Sequence, residues 1–198
     1  MEKQLIFIFF LIAGYLLGSI PFGYIISKTK NIDIRKKGSG ATGATNVSRF
    51  LGLKYAILVA VLDILKAIIP IFFAKFYFQP GIELALISIA PVLGHIFPVW
   101  LNFKGGKGVS VIFASIIMVI GWKYSLIILA FWVLFLFIIK IMSLTNILLF
   151  LILPFLFWYL THSYIYVGLG IFYVLIIWWA HRENIKRLLQ GTEPKIIK

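Results

Sequence analysis

Apolar residues in this chain run on without interruption instead of alternating with polar ones. Continuous apolar stretches cover residues 5–26, 55–78, 82–101, 109–122, 124–139, 147–160 and 164–180, separated by polar or glycine-rich sequence. A segment that is apolar all round has no wet face, and about 20 residues of α-helix cross the hydrocarbon core of a bilayer. The pattern therefore predicts an all-α integral membrane protein, a polytopic bundle of seven transmembrane helices. The runs at 109–122, 124–139 and 147–160 are short, so five or six full spans with tilted or merged segments fit the same pattern. The first run is too long for a signal peptide, lacks a strongly basic start and a small-residue cleavage site, and ends in Lys28 and Lys30. It reads as a retained helix, with Pro21 inside it.

Composition agrees with the pattern. Of 198 residues, 62% are hydrophobic and 13% charged, with a mean hydropathy of +1.05, which excludes a water-soluble single-domain enzyme. Charge adds direction: 19 Lys and Arg stand against 6 Asp and Glu, for a net charge of +13. With seven spans and the N-terminus outside, one face collects 15 basic residues, namely Lys28, Lys30, Arg35, Lys36, Lys37, Arg49, Lys54, Lys104, Lys107, Lys140, Arg182, Lys186, Arg187, Lys195 and Lys198. The other face receives Lys3, Lys75 and Lys123, and Lys66 falls within a span. Cytoplasmic loops carry such an excess, so the C-terminus is expected in the cytoplasm. Basic loops between apolar runs suit lipid headgroups and phosphate substrates, and no nucleic-acid partner is expected. The chain has no Cys, which excludes disulfides and thiolate chemistry. No linker or repeat is visible, so one membrane domain is expected over 1–198, with cytoplasmic loops at 28–54, 101–108 and 181–198.

Three polar stretches on that face carry candidate chemistry. Residues 38–49 hold Gly38, Ser39, Gly40, Gly43, Thr45, Asn46 and Arg49. The stretch formally contains GxGxxG, but no strand precedes it and no acid follows about 20 residues on, so a dinucleotide fingerprint fails. Glycine lets backbone N–H groups approach an anion, and Ser39, Thr45 and Asn46 add uncharged donors. Residues 94–108 contain His95 and the run Lys104-Gly105-Gly106-Lys107-Gly108, which opens into an apolar helix. Two lysines and free N–H groups at a helix N-terminus make an anion site, although the P-loop spacing is missing. Residues 181–193 place His181, Asn184 and Leu188 on one helical face, with Glu183, Lys186 and Arg187 partly on the other. An inward polar face and a basic amphipathic tail lying on the membrane both fit this third stretch. Asp63 and Lys66, three residues apart inside a span, read as a buried neutralising pair. His95 reads either as a catalytic base or as a helix N-capping residue, and His162 as structural.

These three stretches, GSGATGATNVSR, GHIFPVWLNFKGGKG and HRENIKRLLQGTE, resemble in order and spacing the motifs of the bacterial acyl-phosphate-dependent glycerol-3-phosphate acyltransferases of the PlsY type. Two positions depart: Ala41 stands where the family usually has Asn, and Ser110-Val111 where it usually has Ala-Thr. The resemblance implies a seven-helix bundle in the bacterial inner membrane with the three motifs gathered at the cytoplasmic face. It implies transfer of a fatty acyl group from acyl phosphate to the sn-1 hydroxyl of glycerol 3-phosphate, giving lysophosphatidic acid in phospholipid biosynthesis. The enzyme that makes acyl phosphate is a further implied partner. By this resemblance Arg49, Lys104, Ser143, His181 and Asn184 surround glycerol 3-phosphate. Ser39, Thr45, Asn46, Lys107 and the glycine loops, including Gly40, Gly43, Gly105, Gly106 and Gly108, surround acyl phosphate, with Arg182 and Arg187 as further basic contacts. His95, Lys104, His181 and Asn184 are the catalytic candidates.

The chemistry of the donor fits the composition. Acyl phosphate is an activated mixed anhydride, so the enzyme has mainly to hold two anions and neutralise the leaving phosphate, with no nucleophile of its own. No cofactor or metal is expected, because the polar loops hold no two acids close together. The hydroxyl proton has three candidate acceptors: His95, His181 and a substrate phosphate. A transporter or flippase of a phosphorylated small molecule would also want basic loops, but its site belongs near the midplane. A CDP-alcohol phosphotransferase would need an aspartate cluster, and this chain has only Asp33 and Asp63.

Overall fold

A computed structural model describes residues 1–196, so Lys198 of the charge tally and the last two residues of the 181–198 segment lie outside the described part. Among the described residues all regular structure is helical. The chain forms two compact units, Met1–Met118 and a second from Val119 onward. The first holds α1 (Glu2–Ser19), α2 (Phe22–Lys28), α3 (Ala44–Leu51), α4 (Leu53–Ala74), α5 (Ile82–Ile96) and most of α6 (Val109–Ile120). The second holds α7 (Trp122–Ile139), α8 (Met142–Phe150), α9 (Leu153–Thr161), α10 (Tyr164–Ala180) and α11 (Arg182–Leu189).

The first apolar run is broken where the sequence places Pro21. Ile20, the residue before it, is extended at φ −60° and ψ 115°, as steric clash with a following proline requires. The chain re-enters a helix at Phe22, and residues 2–28 together are one candidate span. α1 then lies against α5 at backbone distance. A Cβ on Gly18 would strike the Pro91 backbone, one on Gly94 would strike Tyr15 O and the Ser19 amide, and one on Gly14 would sit 3.2 Å from Ala90 Cβ. Small residues permit such an approach where no hydrophobic effect drives helices together. Gly94, which opens the second motif, is thus a packing residue. The core beneath this contact joins Phe10, Ile71, Ala74, Phe78, Leu84, Ile87 and Met118.

Residues 28–54, expected as a loop, contain structure. A short 3-10 turn covers Ile34–Lys36, and the second half of the glycine-rich stretch is α3. α3 forms because Val47 is fully buried with Ile34 and Val59, while Arg49 and Phe50 face outward. Gly52, at φ 84°, turns the chain from α3 into α4.

Four segments are long and apolar enough to cross a membrane: Glu2–Lys28, Leu53–Ala74, Ile82–Leu101 and Trp122–Ile139. The count reaches six if α8 with α9, bent by 41°, and α10 with α11, bent by 63°, are each one span. The expected run at 109–122 is a 12-residue helix, about 18 Å long at 1.5 Å per residue. The run expected to be continuous over 147–160 starts earlier, at Met142, and breaks between Phe150 and Leu153, just before Pro154. Proline lacks the N–H needed to continue the ladder. Gly170 of α10 packs on the Pro154 backbone, where a Cβ would lie 2.9 Å away. His162 caps the C-terminus of α9 at φ 46°, in keeping with a structural role.

Gly18→Ala should destabilise the protein by about 1–3 kcal/mol through overpacking. Gly168→Ala, at a position where a Cβ meets nothing within 4 Å, should not. Thermal unfolding of both variants in detergent checks the contrast.

Candidate active site

The first glycine-rich stretch is shaped from inside. Asp33 accepts from the Arg35 amide at 3.2 Å and Nε at 3.0 Å, and its Oδ2 lies 2.9 Å from Arg35 Nη2. This grip holds the Asp33 carboxyl well below the usual carboxylate range, and Arg35 also stacks 4.4 Å from the Tyr24 ring centroid. Asn46 is buried. Its Oδ1 accepts from the Ser39 amide at 3.2 Å, and its Nδ2 lies 2.9 Å, 3.0 Å and 3.2 Å from the carbonyls of Ala41, Lys37 and Ile34. The Asn46 carboxamide is therefore committed to holding the loop's own backbone. Gly38 is required for the same reason: at φ 55°, a Cβ would strike Asn46 Oδ1. Gly40 is left-handed at φ 70°, and Gly43 starts α3. Ser39 and Arg49 are exposed, and Thr45 is half-buried in the first turn of α3.

The second motif folds back onto the end of α5. Asn102 and Phe103 adopt left-handed φ values of 51° and 60°, turning the chain so that Gly105 N–H donates to Ile96 O at 3.1 Å and Gly106 N–H to His95 O at 3.0 Å. The amides of these two glycines are therefore bonded within the loop, and the N–H groups without intrahelical partners lie at the start of the helix that follows. Their lack of side chains serves packing: a Cβ on Gly105 would strike His95 O and sit 2.5 Å from Pro98 Cδ, and one on Gly106 would strike the His95 ring. Gly108, at φ 85°, leads into α6, whose first amides, from Val109 to Val111, precede the first intrahelical bond, Ile112 N–H to Gly108 O at 2.8 Å. Lys104 is exposed and Lys107 half-buried.

His95 lies in the last turn of α5, so it caps no helix N-terminus. It is buried, and its Nδ1 is 3.0 Å from Lys66 Nζ and 3.5 Å from Asp63 Oδ1. Lys66 and Asp63 form the expected pair at 2.7 Å. The i,i+3 charges inside a span signalled this pair in the sequence, but nothing there linked it to His95.

In the second unit one carboxylate organises three of the expected site residues. Glu193 Oε1 accepts from Ser143 Oγ at 2.8 Å and Asn184 Nδ2 at 2.6 Å, and Oε2 from Arg187 Nε at 2.7 Å. Burial pushes the Glu193 carboxyl up, and the hydrogen bonds from Asn184, Ser143 and Arg187 more than reverse this, so it ionises below its ordinary value. Glu193 was not among the residues singled out; the signal available was its place in the third motif, four residues past the end of α11. His181, fully buried, stands at the start of α11, with Nδ1 2.9 Å from Ile177 O. A carbonyl only accepts, so Nδ1 carries the proton and Nε2 is the basic nitrogen of the neutral ring. With His181 and Asn184 both buried, the third motif turns its polar face inward. Arg182 points elsewhere, stacking 4.2 Å from the Trp179 ring and donating to Trp179 O at 3.1 Å.

No group of three metal-ligating side chains forms among the described residues. The sequence model of the glycerol-3-phosphate acyltransferase family matches residues 8–191. A glycerol-3-phosphate acyltransferase of Prochlorococcus marinus strain MIT 9301 is 41% identical over 194 residues, covering 96% of this chain and 97% of the relative. One from Synechococcus sp. strain CC9902 is 39% identical over 184 residues, covering 92% of each. The fold is similar to the crystal structure of PlsY (YgiH), an integral membrane glycerol 3-phosphate acyltransferase, in its glycerol 3-phosphate form. That match has a TM-score of 0.91 and 37% identity, over 96% of this chain and 95% of that one. The lysophosphatidic acid form matches with a TM-score of 0.88 at 37% identity, over 96% and 94% of the two chains. Matched by family, relatives and solved structures along almost its whole length, this all-helical integral membrane chain belongs to the glycerol-3-phosphate acyltransferase family.

Proposed function

We propose that the protein transfers a fatty acyl group from acyl phosphate to the sn-1 hydroxyl of glycerol 3-phosphate, releasing lysophosphatidic acid and phosphate. The observation that carries this reading is the distribution of uncommitted charge. The acids of the motif regions are already spoken for, Asp33 by Arg35, Glu183 by Lys186 and Glu193 by Arg187. Arg49 and Lys104 are exposed and pair with no acidic side chain among the described residues. Cations left unpaired beside glycine-rich backbone suit phosphate groups.

In the reaction the glycerol hydroxyl oxygen forms a bond to the acyl carbonyl carbon, the carbon–oxygen bond to phosphate breaks, and phosphate leaves with the electron pair. Arg49, Lys104 and Lys107 neutralise phosphate charge, and Ser143 and Asn184, held by Glu193, orient the acceptor. Lys66 occupies Nδ1 of His95, so of the three candidate acceptors of the hydroxyl proton His181 and a substrate phosphate remain. The 15-to-3 bias of basic residues supports seven spans with the N-terminus outside and a cytoplasmic site in the bacterial inner membrane.

Purified protein given glycerol 3-phosphate should form lysophosphatidic acid with acyl phosphate and not with acyl-CoA, and should continue to do so in EDTA; equal use of acyl-CoA would overturn the donor assignment. Arg49→Ala and Lys104→Ala should each cost roughly 1.5–3 kcal/mol of transition-state stabilisation, the worth of a hydrogen bond to a charged group, read as kcat/KM. The Glu193 carboxyl has its folded pKa below its ordinary 4.5, so its contribution to stability is complete above that value and is lost as pH falls through the folded value. Melting in detergent should accordingly decline as pH drops below the ordinary carboxylate range, and Glu193→Gln should flatten that decline while lowering stability at neutral pH.

A further inference from the structure

A charged pair buried inside a span is not needed for membrane insertion, and apolar residues of similar size often stabilise as well or better. Asp63 and Lys66 are nonetheless only 1% and 3% exposed. Their geometry shows what the pair holds. Lys66 Nζ lies 2.7 Å from Asp63 Oδ1, 2.7 Å from Ile20 O at the proline break of the first span, and 3.0 Å from His95 Nδ1. An ammonium has three protons and no lone pair, so it donates to His95 Nδ1, and the neutral ring carries its own proton on Nε2. A ring in that state has no lone pair left to accept a proton.

The other edge of the ring meets the lysine loop. A Cβ on Gly106 would strike His95 Nε2 and lie 2.7 Å from Cε1 and 2.9 Å from Cδ2, so ring and loop are in direct contact. The His95 carbonyl meanwhile receives the Gly106 amide. One residue thus holds Gly105 and Gly106 by ring and carbonyl together, and these glycines fix the separation and direction of Lys104 and Lys107. The end of α5 has its own anchor, Tyr15 Oη donating to Phe97 O at 2.8 Å. Lys66 is therefore needed for the orientation of the ring more than for the place of the helix.

We propose that Asp63, Lys66 and His95 form a buried positioning network, in which Asp63 holds Lys66, Lys66 orients the His95 ring, and the ring sets the Gly105–Gly106 backbone that carries Lys104 and Lys107. His95 is a positioning residue and not the base. The effect on turnover rests on the phosphate-binding reading of that loop; the effect on loop geometry does not.

Two double variants test the network without orphaning a charge. Asp63→Leu with Lys66→Met removes both charges and the donor to Nδ1, whereas Asp63→Asn with Lys66→Gln removes the charges but keeps an amide donor. In the first, amide exchange at Gly105 and Gly106 should accelerate about tenfold while α1 and α4 stay protected. Turnover with acyl phosphate should fall on the order of 100-fold in kcat/KM, the size of effect that a shift of about 1 Å in a binding group produces. The second variant should recover most of both. Unchanged exchange in the apolar variant, lost turnover with unchanged exchange, or no recovery with the amide pair would each overturn the network. If the apolar pair does not fold, His95→Phe, which keeps a ring and loses Nδ1, is read by the same two measurements. A wild-type protein inactive with acyl phosphate would remove the functional reading alone, since exchange still decides the positioning.

Discussion

Lys66 carries its charge into an apolar span, where an isolated ammonium costs several kcal/mol, and acceptors from three segments converge on it. Asp63 comes from its own helix, Ile20 from the break that Pro21 forces in the first span, and His95 from the end of α5. Because none of these can be satisfied by lipid, the break, the helix end and the ion pair have to meet at one place. The fold of the first unit is arranged around that requirement. The glycine contact between α1 and α5 serves it, because only helices at backbone distance bring Ile20 and His95 to the same ammonium.

The second unit solves a related problem with the opposite charge. Glu193 gathers Ser143, Asn184 and Arg187, drawn from α8 and α11, about one carboxylate. The two units thus share a feature: in each, a buried charge, Lys66 or Glu193, gathers polar groups from separate parts of the chain. Among the described residues five of the six acids, Asp33, Asp63, Glu83, Glu183 and Glu193, stand in ion pairs.

Glycine does different work at different places in this chain. At Gly14, Gly18 and Gly94 it lets helices touch, at Gly105 and Gly106 it lets a loop lie on the His95 ring and its carbonyl, and at Gly38 it makes room for the Asn46 carboxamide. Among the motif glycines, Gly43 and Gly108 stand at helix starts, where the first amides of α3 and α6 have no intrahelical acceptors. The motif glycines are thus mostly packing devices.

Much of this was legible in the chain itself. Uninterrupted apolar runs dictate membrane helices because backbone polar groups in lipid must be satisfied within the segment, and the basic excess at the loops dictates anionic partners. The glycine-rich and basic character of the three motifs and the Asp63–Lys66 pair follow from residue type and local spacing, whereas the family came from the resemblance of the motifs to known ones. What sequence could not supply depends on which distant groups come within about 3 Å. That Asn46 is spent on its own loop, that the amides of Gly105 and Gly106 are already bonded, that Arg182 turns to Trp179 and that Glu193 binds Ser143 across 50 residues are all facts of tertiary contact. A hydrogen bond has a short range and a required direction, so a polar residue's candidacy can be read from its type, but whether its atoms remain available for substrate is decided only by the folded chain.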